Sequence, residues 1–70
     1  MSSYLIEYMK AHLISLEQDS ANIQKQMSEI EDMNSDEYWD LEIEDISLNG
    51  QMIAISHLIQ IGEEHESNNG

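Results

Sequence analysis

Eight residues between Ile6 and Ile30 follow one another at alternating steps of three and four: Ile6, Met9, Leu13, Leu16, Ser20, Ile23, Met27 and Ile30. That spacing keeps a set of side chains on one side of an α-helix over many turns, and no other regular backbone does so. It predicts a helix over about residues 3–33, with Ser20 as the one small polar member of its seam. No Pro interrupts the chain, and Gly occurs only at positions 50, 62 and 70.

The strongest internal break is Asn34-Ser35-Asp36. Asn34 and Ser35 can each accept hydrogen bonds from the free amides of a new helix, and Glu37, three residues after Asn34, completes the pattern of a capping box. Asp36, Glu37 and Asp40 then fall where the helix dipole favours negative charge. A second helix is expected over about 36–61 after a turn at 34–35. It carries two apolar stripes, one through Trp39, Ile43, Ile46, Gly50, Ile53 and His57, the other through Leu41, Leu48, Met52, Ile55 and Ile59.

Asn49-Gly50 between apolar runs is also a β-hairpin signal. The strand pattern changes parity between Ile43 and Ile46, however, and a hairpin gives Ser20 no role. If the chain instead reverses near residue 34 as two antiparallel helices, Ile30 faces Trp39, Met27 faces Ile43, Ile23 faces Ile46, Ser20 faces Gly50, Leu16 faces Ile53 and Leu13 faces His57. The small residue of one seam would then meet the glycine of the other. This explains a mid-helix Gly that otherwise costs about 1 kcal/mol relative to Ala. The expected fold is all-α, a two-helix hairpin over residues 1–62, with residues 63–70 as a flexible acidic tail that lacks apolar side chains.

Packing the first stripe on the partner helix leaves Leu41, Leu48, Met52, Ile55 and Ile59 without cover. Five aliphatic side chains in a row exceed what a small monomer usually exposes. They are therefore expected to form a homodimer interface that closes a four-helix bundle. Dimerisation also answers the difficulty of stabilising 70 residues with one small core.

Charge narrows the function. Fifteen acids against two lysines give a net charge of −13. With so few cations there is no means of neutralising phosphates, so direct nucleic-acid binding is excluded, and an anionic membrane surface is disfavoured. The chain has no Cys, which removes disulfides, thiolate metal sites and cysteine nucleophiles. No apolar run approaches a membrane span and no signal-peptide pattern is present, so a cytoplasmic location is expected. Nine acids, Glu29, Glu31, Asp32, Asp36, Glu37, Asp40, Glu42, Glu44 and Asp45, crowd the bend with no Lys among them. Glu29, Glu31 and Asp32 would oppose the dipole at the end of the first helix, a placement that stability alone does not explain.

Catalysis finds little support. Ser56 and His57 are adjacent and so point to different helix faces, no glycine-rich phosphate loop exists, and a two-helix rod has no deep pocket. Asp32, Asn34, Asp36, Tyr38 and Asp40 match alternate positions of a calcium-binding loop. The pattern fails at Glu37, where Gly is needed, and at Ile43, where a bidentate Glu belongs. No metal or cofactor is expected. His12 and His57 would share a layer of the hairpin, which leaves a metal- or pH-responsive bundle as an alternative. The expectation is a non-enzymatic acidic module that binds a basic protein surface, in its most concrete form a nucleic-acid-mimicking inhibitor of the phage or mobile-element type. Trp39 and Ile46 would hold the scaffold. A structural adaptor using the uncovered stripe is the other alternative.

Overall fold

In the computed structural model, which describes the backbone of residues 2–69 and the side chains of residues 4–67, two helices lie side by side. Helix α1 spans Ser2–Ser28 and α2 spans Asp36–Asn69. Ser20 contacts Asp45 while Lys10 reaches Glu63, so the helices run antiparallel. Together they make a rod of 53 × 14 × 12 Å. Among the described residues no strand forms, and Asn49-Gly50 lies inside α2. The all-helical hairpin expected from the sequence is the observed fold.

Helix α1 packs along the seam its spacing defines. Ile6, Leu16, Ser20 and Ile23 are buried, while Met9, Leu13, Met27 and Ile30 are half-buried. The helix ends at Ser28, five residues short of the expected Met33. Ser28 Oγ donates to the Lys25 carbonyl at 2.6 Å, and the Glu29 and Ile30 amides close tight turns on the Gln26 and Met27 carbonyls. Ending there keeps Glu29, Glu31 and Asp32 out of the last helical turn, where their charge would oppose the dipole, and leaves Lys25 in it.

The connection is therefore longer than a two-residue turn. Within it the Asn34 amide donates to Asp32 Oδ1 at 2.9 Å, and the Ser35 amide to the Asp32 carbonyl. Ser35 is the cap of α2: its Oγ accepts from the Tyr38 amide at 3.2 Å and its carbonyl from the Trp39 amide. The expected capping box between Asn34 and Glu37 is replaced by this single-serine cap one residue later.

The face of α2 turned towards α1 also differs from expectation. Ser20 meets Asp45, five positions before the expected Gly50, and α2 presents a different face. Leu48 is buried with Leu16 and Ile23, and Leu41, Met52, Ile55 and Met27 pack against that cluster. Ile59 is buried as well. The stripe Leu41, Leu48, Met52, Ile55 and Ile59, expected at a dimer interface, is thus the face that packs on α1. Trp39, Ile43, Ile46 and Ile53, expected in the seam, are exposed, and Trp39 and Ile46 do not hold the scaffold. At 100° per residue these two stripes lie about half a turn apart around α2, so only one of them can face α1.

The end of α2 also departs from expectation. Instead of leaving the helix at Gly62 as a flexible tail, the chain stays helical through Asn69; Met1 and Gly70 lie outside the described residues. Gly62 sits against Ile6 so closely that an added Cβ would meet the Ile6 side chain at 3.2 Å. Lys10 Nζ lies 3.4 Å from Glu63 Oε2, and Gln60 donates to Glu64. These contacts hold an acidic helix end beside the start of α1, which has no acid in its own first turn to complement its dipole.

Candidate functional site

The acidic residues gather where the chain turns. Glu29, Glu31 and Asp32 lie in the connection, and Asp36, Glu37, Asp40, Glu42, Glu44 and Asp45 occupy the first three turns of α2. Seven of the nine are exposed, and Glu42 and Asp45 are half-buried. Among the described residues no ion pair reaches any of them; Lys10, which pairs with Glu63 and weakly with Glu7, sits near the opposite end of the rod.

Asp45 differs from the other eight. Its Oδ1 accepts from Ser20 Oγ at 2.9 Å across the helix interface, and its Oδ2 lies 3.5 Å from the Asn49 amide nitrogen. Ser20, only 6% exposed, would otherwise bury a hydroxyl facing an apolar partner helix. Asp45 therefore joins the helices. The surface available to a partner is Glu29, Glu31, Asp32, Asp36, Glu37, Asp40 and Glu44, with Glu42 at its margin.

Two shallow, open grooves run beside these carboxylates. One, of about 460 Å³, is lined by Met27, Ile30, Met33 and Tyr38 together with Gln24, Ser28 and Asp45. The other, of about 420 Å³, is lined by Gln26, Glu29, Ile30, Glu31 and Glu37. Ile30 belongs to both, so an apolar trough and an acidic trough adjoin at the bend. Met33 is 63% exposed in the first. Its place in the connection, outside both helical periodicities, is why spacing alone does not mark it.

The residues that match a calcium loop are not arranged as one. Helix α2 begins at Asp36, so Asp36 and Asp40 stand one turn apart with Tyr38 on the opposite side of the helix, and the three do not wrap around a centre. Among the described residues no group of three or more His, Cys, Asp or Glu side chains is placed to hold a metal ion. His12 stacks on Tyr8, with ring centroids 6.4 Å apart. His57 lies exposed in the outer stripe of α2, on the face turned away from α1. Among the described residues no helix is long and apolar enough to cross a membrane.

The outer face of α2 is the second surface the hairpin leaves free. Trp39, Ile43, Ile46, Ile53 and Ile61 are each 47 to 72% exposed along it. An adaptor built on the Leu48, Met52, Ile55 and Ile59 stripe is not available, because those side chains pack on α1. Compared with protein families, curated proteins and solved structures, the chain matches none.

Proposed function

We propose that this chain is a non-enzymatic acidic interaction module that acts as a homodimer and docks its bend on a basic protein surface. The observation that supports this is the seven exposed carboxylates around the bend, which pair with no cation among the described residues and adjoin an apolar trough. A stability-driven surface intersperses both signs of charge. Here the one-signed field persists to the rim of a groove whose Met27, Ile30, Met33 and Tyr38 suit the aliphatic stems of Lys and Arg side chains. The carboxylates engage the charged heads, and the net charge of −13 steers association from a distance. The partner this chemistry fits best is a nucleic-acid-binding protein whose basic groove the bend occupies in place of phosphates, the mode of inhibition used by small phage and mobile-element proteins.

The test is capture of partners from host lysate across a salt titration, with two charge-matched variants. Reversing Glu31, Asp32, Asp36 and Asp40 to Lys is expected to abolish capture while leaving helical circular dichroism unchanged. Reversing Glu7, Glu17, Asp19 and Glu64 is expected to retain it. Captured proteins should be released by added nucleic acid. Binding that survives the first variant at physiological salt overturns the electrostatic reading.

A further inference from the structure

The outer stripe of α2 is apolar without any requirement from the hairpin. Between Ile46 and Gly62 the chain carries no Asp, Glu, Lys or Arg, although its net charge is −13. Burial does not account for this, because Ile46, Ser47, Asn49, Gly50, Gln51, Ile53, Ala54, Ser56, His57, Leu58, Gln60 and Ile61 are all exposed. Gly50 stands at the middle of the stripe, where a Cβ would meet nothing within 4 Å. A glycine there costs about 1 kcal/mol of helix stability relative to Ala, and nothing within the hairpin requires it.

We propose that two copies of this chain pair through this stripe, α2 against α2 in antiparallel orientation, crossing at Gly50. The inference rests on the reading that the chain is a homodimer, and assigns that dimer its surface and direction. The stripe reads almost the same from either end: Trp39 and Ile43 precede Gly50 by the distances at which Ile61 and His57 follow it, and Ile46 and Ile53 flank it four residues before and three after. A two-fold interface needs such self-complementarity. Centred on Gly50, the antiparallel pairing sets Trp39 against Ile61 of the second copy, Ile43 against His57 and Ile46 against Ile53. At the centre the two Gly50 backbones approach closely.

Charge selects the direction. Antiparallel pairing sets Asp40 and Glu42 of one copy level with the uncharged Gln60 and Leu58 of the other. Parallel pairing would set each acid beside its own copy and bring both bends together. The antiparallel bends lie about 40 Å apart at 1.5 Å per residue, beyond a Debye length of about 8 Å at physiological salt. The five large side chains are each 47 to 72% exposed, and pairing covers on both copies an apolar row that the hairpin alone leaves in water. The resulting assembly has four helices, with the α2 pair inside and one α1 outside each, in place of a bundle closed by Leu41, Leu48, Met52, Ile55 and Ile59.

The test uses the absence of native Cys. Ile46→Cys and Ile53→Cys variants are made separately, mixed and oxidised. A disulfide joining one variant to the other, with little self-linking of either, is the expected result. Self-linking of each variant overturns the antiparallel direction, and a dimer that cross-links in neither way overturns the surface. Light scattering that finds only monomer at about 100 µM overturns self-pairing altogether while leaving the partner-binding role of the bend intact. Gly50→Ala separates a close crossing from an open face: it is expected to raise helicity yet weaken dimerisation by about tenfold through overpacking. Unchanged or tighter dimerisation overturns the crossing at Gly50.

Discussion

Ser20 Oγ donates a 2.9 Å hydrogen bond to Asp45 Oδ1 and thereby couples α1 to α2 at the one polar position of the interhelical seam. The bond supplies the buried hydroxyl with a charged acceptor and fixes which α2 residues lie opposite α1. Hydrogen bonds to charged groups are worth more than neutral ones, about 1.5–3 kcal/mol when desolvated; Asp45 is half-buried, so the lower end applies. Asp45→Ala is expected to destabilise the hairpin by about 1–2 kcal/mol in urea unfolding. A double-mutant cycle with Ser20→Ala should show coupling of about 1 kcal/mol. Additive losses would mean that the two side chains do not act as a pair.

The start of α2 gives a second expectation. Ser35 caps the helix through the Tyr38 amide, while Asn34 contributes only its own amide to Asp32. Ser35→Ala should cost about 1 kcal/mol by thermal or urea unfolding. Asn34→Ala should change stability by less than about 0.5 kcal/mol. The reverse order would place the cap one residue earlier.

The two faces of α2 differ in what the loss of a large apolar side chain does. Leu48 packs with Leu16 and Ile23, and Leu48→Ala should cost about 2–4 kcal/mol. Ile53 is 72% exposed, and in dilute samples Ile53→Ser should leave the hairpin within about 0.5 kcal/mol of its original stability. Circular dichroism melts of both variants at a few concentrations would decide which stripe faces α1.

Crowded carboxylates at the bend repel one another and are screened by salt. Raising sodium chloride from low to moderate concentration should therefore increase the melting temperature. The increase should shrink in the variant with Glu31, Asp32, Asp36 and Asp40 reversed to Lys, which removes the one-signed cluster. A melting temperature that falls with salt in the original protein would show that attractive pairs outweigh the repulsion.

The acidic bend was legible because it depends only on where the chain reverses, and Asn34-Ser35-Asp36 marks that place. The role of Asp45 was not, since its neighbours in sequence are as acidic as it is and only the facing helix distinguishes it. The trough beside the bend was likewise hidden. Met33 follows no periodicity, and it lines that groove only because α1 stops at Ser28.

Sequence by itself determined that there are two helices and which side of α1 is the inside, because one unbroken apolar seam admits one inward face. It also determined that α2 has two apolar stripes, but periodicity states only which residues share a face. Tertiary structure decided which stripe turns towards α1. With its outer stripe turned inward, α2 would bring Gly50 to the buried Ser20 hydroxyl and offer it no side-chain acceptor, whereas the face it does turn inward brings Asp45.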